Sequence, residues 1–129
     1  MKTHEIVSAV QASAGIDTPE HAQRAVEATL TVLGQRLSTE ASDLAAQLPP
    51  ELAEHLPQDG EAERFDLPEF YRRVAEQEGR DCTPDEARRH ARAVTAALRE
   101  SVGAEYRHLL DQLPQDWGDL LHTDNVVQH

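Results

Sequence analysis

The sequence has little cysteine and few aromatic residues. Its 129 residues contain a single cysteine, Cys82, and aromatics make up only 4% of the chain. One thiol cannot form an internal disulfide framework, so the disulfide-rich secreted class is excluded and a reducing compartment is favoured. With so few aromatic side chains the core must be aliphatic and rich in alanine, which is typical of helix bundles rather than sheets.

Long apolar runs and positive charge are also scarce. The longest uninterrupted apolar run is only a few residues, so no segment is predicted to span a bilayer, and the polar start of the chain does not resemble a secretory signal. There are 24 acidic and 12 basic residues, a formal charge of −12, which disfavours nucleic acid binding by a basic face. Such a surface can mimic DNA, but its common role is solubility. We expect a soluble cytoplasmic protein that binds neither membrane nor nucleic acid.

An internal repeat is the most informative feature. With an offset of 65 residues, Thr18-Pro19 falls on Thr83-Pro84, and Gln47-Leu48-Pro49 falls on Gln112-Leu113-Pro114 without a gap. The matching order of caps, turns and apolar positions favours duplication over chance. We therefore expect a single compact domain over residues 1–129. It contains two tandem copies (3–57 and 67–122), a polar linker (58–66) and a frayed tail (123–129).

Each copy is predicted to form four helices. Gly15 and Gly79 end the first helix of each copy, because glycine adopts the left-handed cap conformation at low cost. Thr18 and Thr83 are N-cap candidates for the long second helix, each with proline at the first helical position. A short third helix is broken by proline, and a last helical turn or two follow. This predicts an all-α fold, an eight-helix compact bundle built from two pseudo-repeated four-helix units.

Two capping boxes are predicted in the second copy. Asp66 and Glu69 have the spacing at which each side chain can bind the backbone N–H of the other residue. Thr83 and Glu86 have the same spacing at the start of the long helix. In the first copy His21 occupies the place of Glu86.

The long helix of the first copy carries more apolar surface than its counterpart. Leu30 and Val32 lie off its main stripe, so it is apolar around much of its circumference and requires burial on more than one side. We expect it to lie centrally, against the second copy or another subunit, with the counterpart solvated on its outer face. Trp117, in the short last helix, is either a binding hot spot or, more commonly, a plug at the end of a small bundle.

Four arginines form a local basic face on the long helix of the second copy: Arg88, Arg89, Arg92 and Arg99. Anion or phosphate binding is one interpretation of this face, and pairing with neighbouring acidic residues is the more common one. The candidate interaction surface comprises Leu30, Val32, Arg88, Arg92 and Trp117.

Seven histidines are many for a chain of this length, yet their spacing gives no metal motif. There is no His-x-x-x-His, no His-Glu-x-x-His and no cysteine pair. Glu51/His55 and Glu86/His90 have the i, i+4 spacing of surface ion pairs. His90 replaces Ala25 of the first copy and is interpreted as a partly buried helix residue. We therefore predict no metal ligand, no cofactor, no catalytic residue and no enzyme activity.

Cys82 lies directly before the cap Thr83, where a helix N-terminus would favour its thiolate. A redox or nucleophilic role needs a base or a resolving partner, and neither is visible. Its counterpart in the first copy is Asp17, so the position is interpreted as an ordinary loop.

The helix caps and turns of the two copies carry a family resemblance. The second copy contains Phe70-x-x-x-Val74-Ala75-x-x-x-Gly79, Thr83-Pro84-x-x-Ala87 and Gln112-Leu113-Pro114. The pattern resembles the bacterial domain-of-unknown-function family 2267, and the first copy is similar to the same pattern repeated. The resemblance implies a small helical bacterial protein without an assigned activity, and it carries over no catalytic residue.

Two function hypotheses follow. The first is a non-catalytic protein-interaction or regulatory module, which binds a protein partner or a second copy of itself through the extra apolar stripe. The alternative is a small-molecule or metal-binding protein with a pocket between the two repeats, suggested by the histidine count and the arginine face.

Overall fold

A computed structural model of the chain describes residues 2–37, 44–56, 63–79, 81–101 and 117–121. Over these residues the protein is all-helical, with six helices and no strand, so the all-α part of the prediction is confirmed. No described helix is both long enough and apolar enough to cross a membrane. The helices are α1 (Thr3–Ala14), α2 (Pro19–Leu37), α3 (Pro50–Ala53), α4 (Leu67–Glu78), α5 (Pro84–Ser101) and α6 (Gly118–Leu121).

Some predicted elements lie outside the described residues. These are the tail 123–129, most of the linker 58–66, and the third helix of the second copy with the proline predicted to end it.

The boundary between α1 and α2 forms as the sequence predicts. Gly15 adopts a left-handed conformation with φ 67°, and the next N–H, of Ile16, donates to the carbonyl of Gln11 at 3.0 Å. Thr18 then accepts the N–H of His21 on its hydroxyl oxygen at 3.1 Å. These bonds satisfy backbone groups that a helix end leaves without an internal partner.

One of the two predicted capping boxes is complete. The Thr83 hydroxyl accepts the N–H of Glu86 at 3.1 Å, and the Glu86 carboxylate accepts the N–H of Thr83 at 3.1 Å. Asp66 accepts the N–H of Glu69 at 3.0 Å, but the reciprocal bond is not formed. The Glu69 carboxylate instead accepts bonds from two arginines of α4, Arg72 and Arg73, because charged donors bind a carboxylate more strongly than a neutral N–H does.

The two long helices occupy the centre together. Helix α2 contacts α1, α3, α4 and α5, while α5 contacts α1, α2, α4 and α6. Leu30 and Val32 of α2 are fully buried, as the central placement of this helix predicts. The expectation that α5 is solvated on its arginine-bearing outer face holds at Arg89, which is exposed, but is wrong at Arg92, which is buried.

Candidate metal centre

The structure distributes the five residues of the predicted interaction surface between the core and its edge. Leu30 and Val32 are 0% exposed, and Trp117 is 1% exposed. The Trp117 ring packs against Phe70 at 5.1 Å between ring centroids. Arg92 is buried as well. Within the single chain these side chains therefore do not share an exposed face.

Among the described contacts of the arginine face, Arg88 pairs with an acid, whereas Arg89 donates to the backbone carbonyl of Ala14 at 3.0 Å. Arg88 donates two bonds to the Asp119 carboxylate, at 2.6 and 2.8 Å, and the Tyr71 hydroxyl donates a third at 2.7 Å. Arg88 is the main reason that the pKa of Asp119 falls to about 2. Burial, and then the hydrogen bond to Asp119, raise the pKa of Tyr71. This cluster fixes α6 against α4 and α5.

A second polar cluster lies where α2, α4 and α5 meet. Glu78 is the last residue of α4, His90 lies in the second turn of α5, and His21 lies in the first turn of α2. The Nδ1 atom of His90 lies 2.9 and 3.0 Å from the two carboxylate oxygens of Glu78. The Nε2 atom of His21 lies 3.5 Å from Glu78 Oε1. Three helices thus bring two imidazoles to one carboxylate.

The cluster is buried on one side and open on the other. The side chains of Glu78 and His90 are 1% and 2% exposed, whereas that of His21 is 39% exposed. The two imidazole rings meet edge to face, with 5.3 Å between centroids. One ligand atom from each of the three residues lies within 4.8 Å of the others. Access from solvent is therefore on the His21 side.

A buried carboxylate needs a positive partner, because an unpaired charge in the interior is costly. A protonated imidazole can supply this charge, and so can a metal ion held by the same three groups. Zn²⁺ binds imidazole nitrogen and carboxylate oxygen at about 2.1 Å, which places tetrahedral ligands about 3.4 Å apart. The Glu78 contacts of 2.9 and 3.5 Å differ from this separation by a few tenths of an ångström, and the third separation, between the two imidazole nitrogens, lies within 4.8 Å.

The sequence-based reasoning missed this cluster because its members are far apart along the chain. The partner predicted for His90 was Glu86, whose carboxylate instead caps α5. A signal was nevertheless present in the repeat. Glu78 aligns with Ala14 and His90 with Ala25, and both alanines are buried in the first half. Two polar residues at the positions of two buried alanines indicate a polar pair inside the second half.

Cys82 lies four residues after Glu78, in the turn between α4 and α5. Its thiol is half-buried and 3.6 Å from the Thr83 carbonyl oxygen. Burial, followed by the negative charges of Glu78 and Glu86, raises the pKa of Cys82 to about 12. The expectation that the helix N-terminus would favour a thiolate is therefore wrong, since desolvation and two carboxylates outweigh the helix dipole.

The sequence was also compared with known proteins. A family model described as "Uncharacterized conserved protein (DUF2267)" matches residues 3–120. None of the curated proteins matches the sequence.

Proposed function

The chain belongs to this uncharacterised family, which assigns no activity, and we propose from the geometry of the site that the protein binds a divalent transition metal. One observation carries the proposal: His21, Glu78 and His90 place their ligand atoms within 4.8 Å of one another. This is the metal-binding alternative of the sequence analysis, and it replaces the prediction that no residue ligates a metal.

The ligand types select the class of metal. Two of the three groups are imidazoles, which suit Zn²⁺, Cu²⁺, Ni²⁺ and Fe²⁺, whereas Ca²⁺ and Mg²⁺ prefer oxygen ligands throughout. The buried carboxylate adds the negative charge that a divalent cation requires. Of these metals, Zn²⁺ accepts a mixed nitrogen and oxygen set with no geometric preference from its d electrons. We therefore take Zn²⁺ as the first metal to test.

The location of the cluster supports a site between the two halves of the chain. His21 belongs to the first predicted copy, residues 3–57, while Glu78 and His90 belong to the second, residues 67–122. An ion bound here would join α2 to α4 and α5. The duplication remains part of the proposal, and the equivalent glycines and threonine caps of the two halves support it. The proposal also retains the eight-helix bundle and the cytoplasmic location that the sequence predicts, and the bacterial origin that the family resemblance implies.

The interaction hypothesis stays a prediction. It was based on the apolar stripe of α2, and Leu30 and Val32 of that stripe are covered within the chain. No described contact favours a protein partner or a homodimer over a metal.

The test is to titrate the chelator-treated protein with Zn²⁺ and to measure binding by isothermal titration calorimetry. We expect one ion per chain, with Mg²⁺ giving no saturable heat. His21→Ala should weaken binding at least about tenfold, equivalent to about 1.4 kcal/mol. Because His21 is partly exposed, this substitution should leave the fold intact.

His55→Ala is the matched control. The His55 side chain is 33% exposed and its Nε2 lies 3.4 Å from a Glu27 oxygen, so it resembles His21 in exposure and in its acidic partner but lies outside the cluster. We expect its variant to bind Zn²⁺ like the parent. Equal losses in both variants would show adventitious binding to surface histidines, and the absence of saturable binding in the parent would exclude the proposed function.

A further inference from the structure

The turn between α4 and α5 places a thiol next to the proposed ligands. Directly after Glu78 the chain reverses direction through Gly79, with φ 67°, and Asp81, with φ 61°. The N–H of Cys82 closes the turn by donating to the Gly79 carbonyl at 3.1 Å. Cys82 is thereby returned to the end of α4 that carries Glu78.

The Cys82 side chain faces the protein rather than open solvent. It packs against the hydrophobic core, and burial, followed by the negative charge of Glu78, raises the pKa of its thiol. The sulfur lies near the Thr83 carbonyl, at 3.6 Å, and is not one of the three groups already within 4.8 Å of one another. A ligating sulfur would have to turn away from the Thr83 carbonyl by rotation about the Cα–Cβ bond to another staggered rotamer.

The number of ligands leaves a place for this sulfur. Zinc bound in a closed site takes four ligands in a tetrahedron, and thiolate is among those it prefers. His21, Glu78 and His90 provide three. We propose, on the basis of the metal-binding function above, that Cys82 is the fourth ligand and closes a site of two histidines, one glutamate and one cysteine. On binding, a metal–sulfur bond forms and the S–H proton leaves to solvent; nothing is oxidised or reduced.

Cobalt spectroscopy tests this assignment, because Co²⁺ replaces Zn²⁺ in tetrahedral sites and reports sulfur ligation separately from binding. The Co²⁺-loaded chain should show visible ligand-field bands together with a thiolate-to-cobalt charge-transfer band in the near ultraviolet. Cys82→Ser should lose the near-ultraviolet band and keep the visible bands. The assignment is unambiguous because the chain contains a single cysteine.

Alkylation of the thiol provides a second measurement on the unmodified chain. Iodoacetamide should label Cys82 at least about tenfold more slowly with Zn²⁺ bound than in chelator, since a ligated sulfur is not free to react. Equal labelling rates, or visible cobalt bands without the charge-transfer band, would overturn the role of Cys82 while leaving the metal site in place. No cobalt bands and no zinc binding would instead remove the proposed function itself.

Discussion

At the scale of single residues, Thr95 is a buried hydroxyl shared between two helices. Its oxygen lies 3.1 Å from the carbonyls of Ala91 and Arg92 on its own helix, and 3.0 Å from the carbonyl of Leu120 on α6. The last carbonyls of a helix have no partner within that helix. Among the described residues, the contact with Thr95 therefore gives the Leu120 carbonyl a donor from outside α6.

We expect Thr95→Val to lower the free energy of unfolding by about 1–3 kcal/mol, because the Leu120 carbonyl loses its buried donor. Thr29→Val is the matched control. Thr29 is equally buried, but its hydroxyl donates to the carbonyl of Ala25 on the same helix. Urea unfolding of the two variants provides the comparison. Equal losses of unfolding free energy in Thr95→Val and Thr29→Val would show that the contact of Thr95 with α6 does not contribute to stability.

The ion pair of Asp119 leads to a prediction about how the stability of the protein depends on pH. Its pKa is lowered from 3.8 to about 2, chiefly by the hydrogen bonds from Arg88. A carboxyl with a depressed folded-state pKa stabilises the fold above its ordinary pKa and loses that contribution as pH falls toward the folded value. We expect the stability advantage of the parent over Asp119→Asn to be constant above about pH 4 and to disappear between about pH 4 and pH 2.

The size of this effect is limited by solvent. The Asp119 side chain is 37% exposed, so screening should keep the advantage below about 1 kcal/mol. Urea unfolding of both proteins at several pH values measures it. An advantage that grows as pH falls would contradict the ion pair.

At the scale of elements, α2 supplies the apolar stripe on which the interaction hypothesis was based. Leu30 is 0% exposed within the single chain, so its role in the structure is that of a core residue. We expect Leu30→Ala to cost about 2–5 kcal/mol of unfolding free energy, the usual cost of a cavity at a leucine site.

The control for this prediction is Gln23→Ala, an exposed position on the same helix, which should change stability by less than about 0.5 kcal/mol. Sedimentation is measured on the same samples. If Leu30→Ala changed the sedimentation of the chain but not its unfolding midpoint, Leu30 would be an interface residue after all.

The helix ends were predictable from sequence because capping is local. Thr83 and Glu86 are three residues apart, so their side chains meet whenever a helix starts between them. The Glu78–His90 contact depends instead on how α4 packs on α5, and the His21 contact depends on the docking of α2 against both. The spacing of residues along the chain does not predict such contacts between helices. Only the replacement of two buried alanines of the first half, Ala14 and Ala25, indicated the Glu78–His90 pair, and nothing in the repeat indicated the His21 contact.

At the scale of the whole molecule, a bound ion would connect two halves of the chain that already share a packed core. A ligand that binds only the folded state stabilises it by about 2.7 kcal/mol at a free concentration one hundred times its Kd. For a chain of this size we expect Zn²⁺ at that concentration to raise the Tm by about 10 °C. With binding at least about tenfold weaker, His21→Ala should lose at least about half of the increase at the same Zn²⁺ concentration, while His55→Ala should retain it.

The most direct measurement is the anomalous scattering of zinc in crystals of the chelator-treated chain after soaking in Zn²⁺. The account predicts one strong anomalous peak at about 2.0–2.2 Å from nitrogens of both His21 and His90 and from a carboxylate oxygen of Glu78. A map with no peak at these three side chains, with Glu78 and His90 still paired directly to each other, would contradict it. The cluster would then be a buried ion pair of the fold.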